Sequence, residues 1–362
     1  MEEKKMMRRI IVAVGENFKL ENAVCNHGFF MMPPNRWIPT HKSLTRPLRL
    51  SNHTNSLNVS ITQPPNQQFL LITPQPQQHV QHHPPPHFSN QDRQAIRAQV
   101  VRMLRISAKD EKMVEEFHRI HPDAKKSGFA RIFRSPTLFE DIVKSILLCN
   151  CAWGRSLEMA KALCDLQQHC GKKGTKRKRR RSGDGSKGVE DDGGRMSRNF
   201  PTPKEIAHLD EETLNRHCNL GYRAAIILDV ARNIENGSLN LEDFESDDAS
   251  WIRHRLLKIK GFGPFTVANI MMCLGFYQNI PVDTETFKHL EEVHGKTGLS
   301  AKTQTQVIAE IYDKYDPFQC LAYWMEHVEY YEKRVGKLSE LPHSQYRNVT
   351  TTNFQLVINS GS

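Results

Sequence analysis

Residues 256–283 read LLKIKGFGPFTVANIMMCLGFYQNIPVD, and the fold turns on how that stretch divides. Leu256, Leu257 and Ile259 close one amphipathic run, Lys260-Gly261-Phe262-Gly263 makes a turn, and Thr266 to Leu274 opens a second apolar run that Gly275 ends. The pattern predicts two helices joined by a tight hairpin. Two glycines around one apolar residue admit backbone conformations closed to residues with a Cβ, and expose N–H groups at the start of the second helix. Pro264 suits the first helical turn, where its missing donor costs little. Those N–H groups and the positive end of the helix dipole bind an anion such as a backbone phosphate. A short Gly-x-Gly also suits an ordinary corner in a helical bundle, so the hairpin alone leaves both readings open.

Pro281-Val282-Asp283-Thr284 follows, with Asp283 twenty residues beyond Gly263. A carboxylate at the mouth of a pocket can stabilise the oxocarbenium-like sugar formed as an N-glycosidic bond breaks, or activate the water that captures it. Asp283 also precedes a helical pattern from Thr284 to Val293, where it can serve as an N-cap. The two roles are compatible.

At these residues the sequence resembles the helix-hairpin-helix, Gly-Pro-Asp superfamily of base-excision DNA glycosylases. The resemblance implies that the hairpin grips the strand and that Asp283 supports glycosyl-bond cleavage. It extends to Ser135-Pro136-Thr137-Leu138-Phe139-Glu140 with Ile142, Val143, Ile146 and Leu147, which look like the first core helix, ending at Leu148-Cys149-Asn150-Cys151. Phe200-Pro201-Thr202-Pro203 and Leu220-Gly221-Tyr222-Arg223-Ala224 resemble segments of the 8-oxoguanine and 3-methyladenine glycosylase II branches. Cys25 to Asn35 and Arg46 to Leu50 look like the N-terminal domain of those branches. The similarity covers most of residues 18–62 and 89–335.

Two departures bear on chemistry. Bifunctional members carry a lysine two residues past the second hairpin glycine, which attacks the sugar and cleaves the strand through a Schiff base; here that position is Phe265. A phenyl ring is no nucleophile, so the resemblance implies a monofunctional hydrolase that leaves an abasic site, without lyase activity. Lys260 lies across the turn as a substitute amine or a phosphate-facing lysine. Members acting on 8-oxoguanine carry histidine two residues after the aspartate, where this chain has Glu285. An alkylated, cationic purine suits an electron-rich aromatic pocket. Phe265, Trp153, Tyr222 and Trp324 are candidates to line it, each equally able to pack in a core. A flipped base leaves a gap for a wedge to fill. The resemblance puts Asn150 there, or simply at a helix end, with Arg155 against the opposite strand. Phosphate contacts are expected from the amides of Gly261, Gly263 and Phe265, with Lys258 and Lys260 adding charge. A monovalent cation bridging the hairpin to a phosphate is compatible with this arrangement.

The 362 residues carry a formal net charge of +10. Eight basic residues fall between Lys172 and Arg181, inside a Gly-, Ser- and charge-rich stretch over 171–198 that reads as a disordered basic insertion. It reads as a nuclear-import address with phosphate attraction as a second use, which implies a nuclear protein. The eight cysteines form no disulfide or metal pattern, and only Cys273 and Cys320 follow the hairpin, so neither an iron–sulfur cluster nor any other cofactor or metal is expected. No apolar run reaches the length of a membrane span, and Ile10 to Val14 is too short for a secretory core.

The expected architecture is mainly α with an α+β N-terminal domain: residues 1–88 with a small antiparallel β-sheet, then a two-lobed helical body over 89–340. Strands are expected at Leu57 to Thr62 and Phe69 to Thr73, joined by Phe18 to Leu20 and Leu48 to Leu50. Residues 74–88 read as a flexible Gln/Pro/His-rich loop and 341–362 as a flexible tail. Asn90, Ser246, Asp283 and Ser300 are helix-start candidates, Thr202-Pro203-Lys204-Glu205 is a capping-box pattern, and Pro317 opens the last long helix. The expected protein is a monomeric base-excision repair enzyme acting on duplex DNA with a damaged base. The alternatives are a non-catalytic hairpin DNA-binding protein and a glycosylase for oxidised purines.

Overall fold

Apolar residues alternate along 56–62 and 69–74, and both runs become paired strands. The computed structural model describes residues 9–75, 89–166 and 198–350. Its N-terminal part holds β1 (Ile10–Ala13), α1 (Leu20–Val24), β2 (Arg36–Ile38), β3 (Ser43–Arg49), β4 (Ser56–Thr62) and β5 (Phe69–Pro74). These strands pair antiparallel in the order β1-β5-β4-β3-β2. Leu57, Val59 and Ile61 of β4 and Leu70 and Ile72 of β5 all point to the buried face, as the period of two requires.

The sheet differs from expectation at both edges: Arg36–Ile38 forms an edge strand that was not expected, and the opposite edge is a different segment from the one expected. Phe18 to Leu20 is not a strand: Leu20 opens α1, and its amide donates to Gln63 Oε1 at 2.8 Å. The outer strand is Ile10–Ala13, whose β-branched residues pair with β5.

The helices are α2 (Asn90–Leu104), α3 (Ala108–Ile120), α4 (Pro122–Ser127), α5 (Leu138–Leu148), α6 (Trp153–Asp165), α7 (Pro203–Ala207), α8 (Glu211–Cys218), α9 (Arg223–Glu235), α10 (Ala249–Leu257), α11 (Pro264–Leu274), α12 (Thr284–His294), α13 (Ala301–Tyr312) and α14 (Gln319–Val335). Local signals set most of their starts. Thr202 and Glu205 close the expected capping box on α7, Ser300 caps α13, and Asp283 caps α12. Two caps shift by one or two residues: Ser89 rather than Asn90 caps α2, and Asp248 rather than Ser246 caps α10. In each case the side chain that reaches the first-turn amides decides the start.

Every residue from Phe139 to Leu147 of α5 is buried, as is every residue from Thr266 to Cys273 of α11, and the two helices pack together at the centre. Helices α6 to α9 contact one another and α5, α10 packs on α11, α2 lies against β1 and β3, and α14 packs against α12 and α13. One apolar cluster runs from the sheet through the helical body. Arg46 of β3 crosses that junction fully buried, pairing with Glu140 at 2.9 Å and donating to Asn35 Oδ1 at 2.8 Å. Lys144 meets the same carboxylate at 2.8 Å. Burial alone would raise the Glu140 carboxyl, but the two cations hold it down to about 2.

The tail expected to be flexible from residue 341 is packed as far as Thr350. A 3₁₀ turn over His343–Asn348 buries Tyr346 against Phe30, with ring centroids 5.7 Å apart, and the Tyr346 carbonyl accepts from Trp153 Nε1 at 2.7 Å. The core of the Gln/Pro/His-rich loop (76–88), the basic insertion up to 197 and residues 351–362 lie outside the described residues.

Candidate active site

The hairpin between α10 and α11 is built by unequal glycines. Gly261 has φ +88°, and a Cβ there would meet Ile226 Cδ1 of α9 at 2.6 Å, so both its conformation and its neighbour demand glycine. Gly263 has φ −91° and ψ 176°, which any residue adopts, and a Cβ there would meet nothing within 4 Å. The expectation that both glycines serve the backbone therefore holds only for Gly261. Buried Phe262 anchors the turn between them, and Lys258 and Lys260 are exposed on it. In the first turn of α11 Pro264 has no amide, the Val267 amide donates to the Gly263 carbonyl at 3.0 Å, and by position the amides of Phe265 and Thr266 have no intrahelical acceptor. At the far end of α11, buried Arg105 donates to the carbonyls of Met272 (2.7 Å) and Cys273 (2.9 Å), and Arg134 donates to Cys273 (2.8 Å). Cations at the C-terminus and open amides at the N-terminus both match the helix dipole.

A cavity of about 610 Å³ opens beside this hairpin. Phe265 and Asn269 of α11 line it, with Asn150 and Cys151 from the α5–α6 loop, Trp153 from the start of α6, and Tyr323, Trp324, His327 and Tyr331 from α14. Asp283 and Glu285 lie on its wall, with His27 and Gly28 from the N-terminal region. Trp153 fills the space beside Gly28, where a Cβ would stand 3.1 Å from the indole.

Asp283 both caps α12 and lines the cavity. Its Oδ1 accepts from the Thr286 amide at 3.0 Å, while its own amide donates to Thr286 Oγ1 at 3.2 Å, closing a capping box on α12. The residue also lines the cavity. Burial raises the carboxyl from 3.8 to about 6, with the Thr286 amide opposing the rise and Glu285 adding repulsion. Glu285 is itself held by hydroxyls of Tyr331 (2.9 Å) and Thr350 (3.2 Å).

The wedge candidate Asn150 stands at the cavity edge with φ +46°. Its loop is clamped: Arg223 donates to the carbonyls of Cys149 and Asn150, and Cys149 Sγ lies 3.0 Å from Thr266 Oγ1 of α11. Tyr222 is not a cavity residue. It is 54 % exposed, its ring lies under the Arg223 guanidinium, and its hydroxyl reaches the Cys149 carbonyl at 3.3 Å. Arg155 likewise stands outside the cavity, exposed, donating to the Asn219 carbonyl at 3.3 Å. Of the proposed pocket aromatics, Phe265, Trp153 and Trp324 meet in one cavity.

Sequence reasoning missed His27, Tyr323, His327 and Tyr331 as lining residues. The last three share one face of α14 with Trp324, a helical spacing of polar aromatics legible in the sequence. Burial lowers the His27 imidazole to about 3, with Arg105 and Lys144 adding to the effect, so its ring is neutral against Trp324, 4.4 Å between centroids. Trp324 Nε1 and His327 Nδ1 are buried without a hydrogen-bond partner. Unpaired polar atoms of this kind are costly unless a ligand completes them.

The architecture matches solved structures over nearly the whole chain. A 3-methyladenine DNA glycosylase from Archaeoglobus fulgidus superposes with a TM-score of 0.60 at 17% identity, covering 87% of this chain and 96% of that one. The Clostridium acetobutylicum 8-oxoguanine glycosylase/lyase gives 0.59 at 18%, covering 90% and 96%. The fold is that of the helix-hairpin-helix DNA glycosylases. MBOgg1, solved with a low-affinity DNA ligand, has the same glycosylase fold at 0.58 and 18% identity, covering 88% of this chain and 94% of that one. In sequence, the chain is 34% identical over 73 residues to YfjP of Bacillus subtilis (strain 168), which carries a provisional name as a DNA-3-methyladenine glycosylase. That match spans 20% of this chain and 25% of YfjP. No family model matches the chain. Asp283, Phe265 and the aromatic residues of α14 line one cavity at the start of α11, next to the hairpin.

Proposed function

We propose that this protein is a monofunctional DNA glycosylase of base-excision repair that hydrolyses an alkylated purine from duplex DNA. The observation that carries this reading is that Asp283 and Phe265 line one cavity beside the hairpin. Gly261, Gly263 and the first-turn amides of α11 hold the strand by its phosphates, with Lys258 and Lys260 adding charge. The target nucleotide turns out of the stack into the cavity, and Asn150 fills the gap. Asp283, ionised above about pH 6, stabilises the oxocarbenium-like sugar or activates water as the base departs.

No lysine lines the cavity among the described residues, which favours hydrolysis over a Schiff-base lyase. Indole and phenyl faces together with the Glu285 carboxylate favour a cationic base, which is also the better leaving group. Hydrolysis of this kind requires no cofactor. In this reading the basic run 172–181 directs a monomeric enzyme to the nucleus, and Arg155 meets the opposite strand.

The test is base release and strand nicking, followed separately on duplexes containing 3-methyladenine, 1,N6-ethenoadenine, 8-oxoguanine or uracil. Release from an alkylated purine, abolished in Asp283→Asn and without nicking or borohydride trapping, supports the proposal. Release confined to 8-oxoguanine moves the substrate to oxidised purines. Binding without release from any lesion makes the protein a hairpin DNA-binding module, in which Asp283 is only the cap of α12.

A further inference from the structure

The spacing of histidines and cysteines along the chain carries no metal signature, yet the fold assembles one away from the cavity. His289 and His294 project from α12 toward Glu326 of α14, and the side chain of Tyr312, the last residue of α13, reaches the same point. Glu326 Oε2 lies 2.9 Å from His294 Nε2, 3.4 Å from His289 Nε2 and 2.6 Å from the Tyr312 hydroxyl. That hydroxyl is 3.3 Å from His289 Nε2 and 3.4 Å from His294 Nε2. The two imidazole nitrogens and the carboxylate oxygen all fall within 4.8 Å of one another. Donors bound tetrahedrally at zinc distances stand about 3.4 Å apart, the scale of the two carboxylate–imidazole distances.

Hydrogen bonding alone serves this cluster badly. Three potential donors, two imidazoles and a phenol, converge on one carboxylate oxygen that offers about two lone-pair sites. A cation reverses the roles of the two imidazoles, which then present bare Nε2 atoms, and leaves the phenol as the one donor to the carboxylate. We propose that His289 Nε2, His294 Nε2 and the Glu326 carboxylate bind one zinc-class divalent cation, with water in the fourth position and the Tyr312 hydroxyl orienting the carboxylate. Two imidazoles and a carboxylate select zinc or a neighbouring transition ion over magnesium or calcium. His289 Nδ1 has no hydrogen-bond partner. Its imidazole therefore lacks the usual backing, and the affinity is expected about 10–100-fold below that of a fully supported site.

The site ties α12, which Asp283 caps, to α14, which carries Trp324 and His327. A bound cation would therefore fix the helix start that holds the candidate catalytic carboxylate. The metal itself is inferred independently of the glycosylase reading, and its test needs no substrate.

His79, His82, His83 and His87 can bind metals adventitiously, so the experiment uses the full-length chain with those four replaced by glutamine. The metal-free protein is titrated with Co2+ and Zn2+, and retained metal, visible ligand-field absorption and melting temperature are read. One equivalent of four-coordinate Co2+, displaced by Zn2+, with a raised melting temperature and loss of binding in His294→Gln and Glu326→Gln, is the expected result. X-ray absorption at the zinc edge on the otherwise unaltered protein should count two imidazoles and no sulfur, independently of whether those two variants fold. Absence of retained metal, a different donor count, or binding unchanged in folded variants overturns the site.

Discussion

Gly261 and Gly263 look alike in sequence and differ in physical role. Gly261→Ala forces a Cβ into Ile226 at a positive φ, and should cost about 1–3 kcal/mol, read as a lower urea midpoint. Gly263→Ala adds its methyl to open space on the face proposed to meet DNA. Its melting temperature should stay near wild type while duplex affinity falls. Asp283 makes a pH prediction with a definite sign. Its folded pKa is raised to about 6, so the fold favours the protonated form, and stability is lost as pH rises from about 4 to 6. Above pH 6 the ionised carboxylate costs up to about 3 kcal/mol. Asp283→Asn, which keeps a capping oxygen, should therefore melt higher than wild type at pH 8, with the gap closing toward pH 4. Base release by wild type should rise through pH 6 and be absent in the variant. A variant less stable at pH 8 would show that Asp283 matters mainly as a cap.

At the scale of elements, α11 carries the proposed phosphate grip at one end and a pair of guanidinium groups at the other. Arg105→Met removes the donors to the Met272, Cys273 and Ile132 carbonyls and leaves them buried without that partner. The expected loss is about 2–4 kcal/mol in urea unfolding. The hairpin, the capping boxes and the alternation of β4 were legible because each is set within a few residues. The strand at Phe18 to Leu20 was misread because Leu20 is fixed by Gln63, more than forty residues away. The 342–350 tail was misread for the same reason: what orders it is Tyr346 against Phe30 and Trp153.

Across the whole molecule, Arg46, Glu140 and Lys144 lock the sheet to the central helix in a buried network. The Glu140 carboxyl is depressed to about 2, so the stability it contributes is present above about pH 4.5 and is lost as pH falls toward 2. Glu140→Gln leaves two buried cations poorly paired, and should cost about 3–5 kcal/mol at neutral pH by urea unfolding. By itself the sequence determined the local devices: a glycine turn before a proline-led helix, an aspartate at a helix start, and the absence of lysine at Phe265. Backbone sterics and first-turn hydrogen bonds fix these over short spans, whatever surrounds them. Only the tertiary structure decided which side chains share a cavity. Tyr222 turned away, His27, His327 and Tyr331 turned in, and His289, His294 and Glu326 came together. Each of those outcomes depends on how helices far apart in the chain rotate and pack, and packing of that kind follows from burying one common core.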